Sequence, residues 1–351
     1  MRIRNVVQSW SKILRGHTPI LSIEITRECP LRCPGCYAYG ADHLGGEVTL
    51  RELSDKRGDD LVKGVLSLVD RHRPLQVTLV GGEPMVRHRE LSAILPALAQ
   101  RGIATMVVTS GIIVIPSEWM SLPNFTIAVS IDGLPEHHDV RRAPATYERI
   151  LKNIEGRRIN VHWTITAQML TNDHYVHDYV QFWSRREEVR HIWVSLYSPQ
   201  RGEDSAERLS PQQRLQVASD LSRLHRLYPK LLTPEGYTKA LLNPPASPKD
   251  CTFSRMSRNY SADLATRVEP CVFGGNPDCS QCGCSISAAA HWVSEYSLAG
   301  PIKAKHLMKP SMAIGNAVAS LQRINPPSWV EREHQQPRRS GNLVQISIME
   351  E

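Results

Sequence analysis

Between residues 20 and 227 the chain alternates short apolar segments with amphipathic ones six times, and nothing else in it constrains the fold as strongly. Apolar stretches of strand length fall at 20–26, 75–80, 104–109, 125–131, 161–167 and 191–197. Helical periodicity follows at 50–70, 88–100, near 117, at 147–155, 174–186 and 210–227. Ser210-Pro211 supplies an N-cap and a first-turn proline for the last of these. Strands that read as near-continuous apolar runs are buried on both faces, so the pattern predicts a parallel α/β sheet covered by helices. Right-handed crossovers leave an open partial barrel or a doubly wound sheet, and periodicity does not separate them. In both, chemistry belongs at the C-terminal ends of the strands.

The eight cysteines are not scattered. Three lie between Cys29 and Cys36, and five between Cys251 and Cys284. Buried structural cysteines would be spread along the chain, so two tight groups predict two metal sites. No signal peptide is read at the N-terminus and no run reaches the roughly 18 apolar residues of a membrane span. The expectation is a cytoplasmic protein whose thiols stay reduced. A net charge of +7 invites a phosphate-binding reading. The basic residues are dispersed, however, and no nucleic-acid module signature is present, so no nucleic-acid partner is expected. Residues 1–17 carry Val6, Val7, Trp10, Ile13 and Leu14 at helical spacing among basic residues. That helix either covers one end of the domain or makes a peripheral contact with an anionic membrane.

The first cysteine group follows the first strand as Cys29-Pro-Leu-Arg-Cys33-Pro-Gly-Cys36. C-x3-C-x2-C lets one loop wrap an iron–sulfur cluster, and three ligands leave one iron of four open to a cofactor. A structural zinc loop would favour paired C-x2-C units, a poorer fit. The second strand ends in Gly81-Gly82-Glu83-Pro84, where glycines admit close backbone approach and Glu83 can pair with a cation. The fourth ends Ser130-Ile131-Asp132-Gly133, followed by Glu136, His137, His138, Asp139, Arg141 and Arg142.

These three motifs, in this order on strands one, two and four, resemble the radical S-adenosylmethionine (SAM) superfamily. The resemblance implies a partial (β/α)6 TIM-type barrel with a small Cys-rich C-terminal extension. It implies that a [4Fe–4S] cluster on Cys29, Cys33 and Cys36 binds SAM and cleaves it reductively to a 5′-deoxyadenosyl radical. It further implies that Gly81, Gly82, Glu83 and Pro84 meet the methionine amino group, with Ser130 and Asp132 near the ribose or methionine part. Arg142 pairs with the SAM carboxylate, Arg141 being the neighbour that could take its place; a guanidinium fork suits a carboxylate. His137 and His138 read as local hydrogen-bonding groups. One departure stands out: many members have an aromatic residue before the third cysteine, packing on adenine, and here it is Gly35. Tyr37 or Tyr39 are the nearby substitutes.

Cys251, Cys271, Cys279, Cys282 and Cys284 could bind zinc or a second iron–sulfur cluster by spacing alone. The resemblance to members with SPASM or twitch-type extensions implies one auxiliary [4Fe–4S] cluster, with Cys251, Cys271, Cys279 and Cys282 as ligands and Cys284 the spare or the substitute for one of them. The expected organisation is an N-terminal helix (1–18), a radical SAM core (19–232), the Cys-rich extension (233–300) and a C-terminal helix and tail (301–351). The expected substrate is a peptide or protein, with an isoprenoid or other lipid as the alternative. An external electron donor such as flavodoxin or ferredoxin is implied. A reading of another class is a non-catalytic iron–sulfur electron-transfer or scaffold protein.

Overall fold

Six parallel strands and the helices between them carry the alternation seen in the sequence. The computed structural model describes residues 10–39, 43–44 and 53–322. Strands β1 (Ile20–Glu24), β2 (Gln76–Val80), β3 (Ala104–Thr109), β4 (Phe125–Ser130), β5 (Ile159–Ile165) and β6 (Val189–Leu196) pair in parallel in sequence order. A seventh strand, β7 (Ser257–Tyr260), pairs in parallel with the free side of β1. The order is therefore β6-β5-β4-β3-β2-β1-β7, and the sheet does not close on itself.

Alternation along the strands explains both the core and the cavity. Leu21, Ile23, Val77, Leu79, Val107, Ile127, Val129, Val161, Trp163 and Val194 are at most 1% exposed and join one hydrophobic core. The intervening positions point the other way, because successive side chains leave a strand on opposite faces. They are Ile20 and Ser22, Thr78 and Val80, Met106 and Val108, Ala128 and Ser130, His162 and Thr164, Trp193 and Ser195, and all line a single cavity of about 240 Å³. Six strands facing one cavity make this a curved, partial barrel. Phe253, Phe273, Ser285 and Ile286 close its open side.

The helices are α1 (Gly58–His72), α2 (His88–Gln100), α3 (Pro135–Arg141), α4 (Tyr147–Ile154), α5 (Tyr175–Ser184), α6 (Pro211–Leu227), α7 (Glu235–Leu242), α8 (Thr252–Met256), α9 (Ser285–Ser294) and α10 (Ala304–Leu321). At α6, Ser210 and Gln213 form a reciprocal capping box above Pro211. The short helices α3, α8 and α9 have no counterpart in the sequence reading, and four further elements differ from it. The helix expected over 50–70 starts at Gly58, with Asp59 and Asp60 in its first turn; residues 45–52 lie outside the described residues. The proline-rich stretch 233–250 contains α7, held by the buried Tyr237, whose hydroxyl donates to the Val194 carbonyl. The helix expected over 311–324 begins seven residues earlier and runs through Pro310. Strand β7, Ser-Arg-Asn-Tyr, has no apolar run to signal it.

Residues 10–14 are helical and pack on α10. Trp10 Nε1 donates to Ser311 Oγ at 2.9 Å, and a side chain at Gly315 would meet the Ile13 carbonyl oxygen at 2.2 Å. Residues 1–9, the rest of the expected N-terminal helix, lie outside the described residues. No helix among the described residues is long and apolar enough to cross a membrane.

Candidate cofactor-binding site

The first cysteine loop leaves β1 and is pinned at its root. Thr26 Oγ1 and the Arg27 backbone N–H both donate to Asp55 Oδ2 at 2.8 Å, and Arg27 Nε donates to Asp55 Oδ1 at 2.6 Å. The Gly81-Gly82 pair lies on the same root: Gly82 N–H donates to Thr26 O and Glu83 N–H to Glu28 O, both at 2.8 Å. A Cβ at Gly81 would stand 2.3 Å from Thr26 O, and one at Gly82 2.4 Å from Glu28 O. The glycines are required because this turn lies against the backbone that carries the cysteines.

Glu83 is 1% exposed and its carboxylate is fully engaged by its own chain. Oε1 accepts from Thr109 Oγ1 (2.6 Å) and Met85 N (3.0 Å), and Oε2 from Ser110 N (2.8 Å) and Ser110 Oγ (2.5 Å). The side chain thus ties the end of β3 to the end of β2.

At the end of β4, Asp132 is fully buried between two arginines. Arg142 Nε donates to Oδ2 at 2.6 Å, Arg141 Nε to the same oxygen at 3.2 Å, and Thr164 N to Oδ1 at 3.0 Å. Burial pushes this carboxyl upward, but Arg142 and Arg141 outweigh it and hold it far below the usual carboxylate range. The arginines then part company. Arg141 Nη1 donates to the Pro34 carbonyl at 3.0 Å and to Glu207, so it clamps the loop between Cys33 and Cys36. Arg142 Nη1 and Nη2 have no hydrogen-bond partner among the described residues, and Arg142 lines the cavity with Cys33 and Cys36. His138 accepts from Asp132 N–H at Nδ1 (2.9 Å), so its Nε2 carries the proton and donates to Ala145 O (2.8 Å). Burial lowers its pKa to about 4, and it is a neutral structural imidazole. His137 meets the Tyr175 hydroxyl at 3.1 Å.

Gly35 adopts φ +59°, and a Cβ there would lie 2.5 Å from the Tyr197 hydroxyl oxygen and 2.7 Å from Tyr197 Cε2. Tyr197 follows β6, is 5% exposed, donates its hydroxyl to Glu203 and lines the cavity. Tyr37 also reaches the cavity wall, but its ring packs edge-on against Phe273 (5.2 Å) and at a tilt against His43 (5.8 Å). The Tyr39 side chain lies outside the described residues.

All five C-terminal cysteines line one second cavity of about 30 Å³, together with Pro245, Pro248, Phe253, Phe273 and Ser287. Phe253, Phe273 and Ser198 line both cavities, so the cavity bearing Cys33 and Cys36 and the five-cysteine cavity share a wall. Burial pushes the Cys279 thiol up to about 11. Cys271, Cys282 and Cys284 move the same way for the same reason. Among the described residues no three His, Cys, Asp or Glu side chains converge on a site for one metal ion. The corners of a four-iron cube hold their thiolates farther apart than a single ion does, so the donor set suits a cluster better.

Four residues near these sites carry no motif signal: Tyr197 and Glu207 beyond β6, His162 inside β5, and Arg214 on α6. His162 Nε2 and Ser195 Oγ are hydrogen-bonded at 2.8 Å, and Ser195 Oγ accepts from Ser285 N at 3.1 Å. Burial lowers the His162 pKa to about 4. Only positions near strand ends or along the inward face of the sheet could have marked the first three, and Arg214, on a helix, had no such signal.

Residues 23–182 match the Radical SAM superfamily model. The pre-heme d1 synthase of Dinoroseobacter shibae is 27% identical over 167 residues, covering 45% of this chain and 39% of that protein. The Fe-coproporphyrin III synthase of Methanosarcina barkeri is 25% identical over 159 residues, covering 43% and 38%. The matched stretch therefore spans well under half the length of these curated relatives. In fold, the chain is similar to Streptococcus suis SuiB bound to the precursor peptide SuiA (TM-score 0.56, 14% identity, 77% of this chain and 64% of that one). It is also similar to anSMEcpe with bound AdoMet (TM-score 0.52, 14% identity, 88% and 94%).

Proposed function

The chain belongs to the radical SAM superfamily through residues 23–182, and from that premise we propose that it cleaves SAM reductively and modifies a peptide or protein segment held in the barrel cavity. When bound, a [4Fe–4S] cluster and SAM supply one-electron cleavage of a sulfonium C–S bond and the hydrogen abstraction that follows. Cys29, Cys33 and Cys36 hold the cluster. Arg142 is the carboxylate partner, and the observation that carries this assignment is the division of labour at Asp132. Arg141 spends its donors on Pro34, Glu207 and Asp132, whereas Arg142 keeps Nη1 and Nη2 for the cavity. Asp132 orients both guanidinium groups and Ser130 lines the wall beside them. The Gly81–Pro84 turn fixes the cysteine loop from behind, with the Glu83 carboxylate as its anchor. Tyr197, seated on Gly35, offers the adenine the flat surface that the loop itself lacks.

The second cavity takes one auxiliary [4Fe–4S] cluster on four of Cys251, Cys271, Cys279, Cys282 and Cys284. An external one-electron donor of the flavodoxin or ferredoxin type feeds the system. The peptide reading leans on SuiB, a protein of the same fold that holds a precursor peptide. A second reading, a tetrapyrrole substrate, is favoured by the two curated relatives, whose names are those of a heme d1 precursor synthase and a coproporphyrin synthase. The lipid alternative draws on the amphipathic N-terminus, whose described part, residues 10–14, is packed against α10.

The test is anaerobic reconstitution followed by SAM and dithionite. The expected result is 5′-deoxyadenosine, abolished by replacing Cys29, Cys33 and Cys36 with Ala; an intact cluster that yields none would return the chain to the scaffold reading. About four irons left on that triple variant support the auxiliary cluster, and zinc in their place overturns it.

A further inference from the structure

Arg214 is a buried cation without a carboxylate partner among the described residues. It projects from α6, is 6% exposed, and donates only to backbone carbonyls. Nη1 reaches Gln281 O at 3.1 Å, and Nη2 reaches Leu241 O at 2.6 Å and Cys282 O at 3.0 Å. Among the described residues no carboxylate pairs with it. Arginine does not shed its proton, so the charge persists. Taking such an ion out of water costs several kcal/mol, and carbonyl dipoles offset only part of that. The C-terminal end of α7, where Leu241 lies, adds a partial negative charge.

The remaining compensation lies on the other side of the carbonyls. Gln281 and Cys282 belong to the loop that lines the five-cysteine cavity. Neutral thiols there would leave Arg214 unbalanced. Four thiolates around a four-iron core outweigh its positive charge, so such a centre is anionic, and more so after taking up an electron. A fixed cation beside it stabilises the reduced form most. We propose that Arg214 is the charge partner of the centre held by the five-cysteine cavity, and thereby a residue that sets its reduction potential. This rests on the auxiliary cluster proposed above.

The experiment is a potentiometric titration of the reconstituted, full-length protein, followed by electron paramagnetic resonance and iron analysis. Wild type is compared with Arg214→Gln and Arg214→Lys. Wild type with iron for one cluster only, or with zinc, defeats the auxiliary-cluster reading before any variant is made. Given two clusters, Arg214→Gln moves the midpoint of the second to more negative potential and leaves the first unmoved, while Arg214→Lys stays near wild type. An unchanged midpoint in Arg214→Gln at full iron content overturns the proposal. If Arg214→Gln does not retain the second cluster, Arg214→Lys decides. Retention with the wild-type midpoint supports a charge partner, and loss there too reduces Arg214 to a clamp on the loop.

Discussion

The phenol of Tyr197 fills the space that a side chain at position 35 would need, 2.5–2.7 Å from where its Cβ would lie. An aromatic residue in the cysteine loop and an aromatic residue after β6 are therefore mutually exclusive here. Stacking of a base on an aromatic ring is worth about 1–3 kcal/mol. Replacing Tyr197 with Leu is expected to weaken SAM binding by roughly 5- to 150-fold. Isothermal titration of the anaerobic, reconstituted protein reads it, and Tyr197→Phe should lose far less. Unchanged affinity in Tyr197→Leu removes Tyr197 from the SAM site.

Asp132→Asn leaves Arg141 and Arg142 sharing a neutral amide, and one-sided loss of a buried ion pair costs about 3–5 kcal/mol. Urea unfolding at neutral pH should show that loss. The folded carboxyl is held below its unfolded value, so its contribution is present above about pH 4 and disappears as acid takes the pH down through the lower folded value. The variant and the wild type should converge in stability at the acid end; a constant gap down to pH 2 would contradict the assignment.

Three histidines stay neutral in the fold: His72, lowered to about 3, and His138 and His162, each lowered to about 4. Burial is the leading cause in each. Below pH 6.5 the unfolded chain gains protons that the folded one does not, so stability falls on acidification between about 6.5 and 4. Each histidine contributes a slope of about 1.4 kcal/mol per pH unit. His138→Gln should remove one such slope from a plot of unfolding free energy against pH, and an unaltered slope would show that His138 is protonated in the native state.

Glu83→Gln turns an acceptor toward four donors into a group with its own N–H atoms. A buried donor left unsatisfied costs about 1–3 kcal/mol. The variant should melt earlier and, because Glu83 N–H and Gly82 N–H hold the root of the cysteine loop, reconstitute less of the first cluster. Full iron incorporation with wild-type melting would show that the β2–β3 tie is dispensable.

Much of this was legible from residue order. The six strands announced themselves because both their faces are buried, and the cysteine, glycine and Asp-Gly motifs sit at the ends of β1, β2 and β4 as expected. What sequence could not reveal depends on distances that span the fold. Nothing local says that Tyr197 would seat on Gly35, 162 positions away by their numbers. The Asp132 neighbourhood offers two arginines in sequence, and it is the bonds of Arg141 to Pro34 and Glu207, both distant along the chain, that distinguish their surroundings. Gly81 and Gly82 read as openings for a ligand, and the fold adds a second demand on them that sequence does not reveal: room for the backbone of Thr26 and Glu28. Strand β7 escaped notice because Arg258 and Asn259, buried at 4% each, give it a polar composition that local propensity assigns to a loop.

That seventh strand lies between Cys251 and Cys271 in sequence and against β1 in space. The segment bearing the second cysteine group is thus woven into the same sheet that presents the first. A shortened chain ending before residue 251 would strip β1 of a neighbour and leave its backbone groups as a raw, adhesive border. The five-cysteine region is consequently not a detachable module: evolution or engineering could alter what it binds, but could not discard it without remaking the barrel wall.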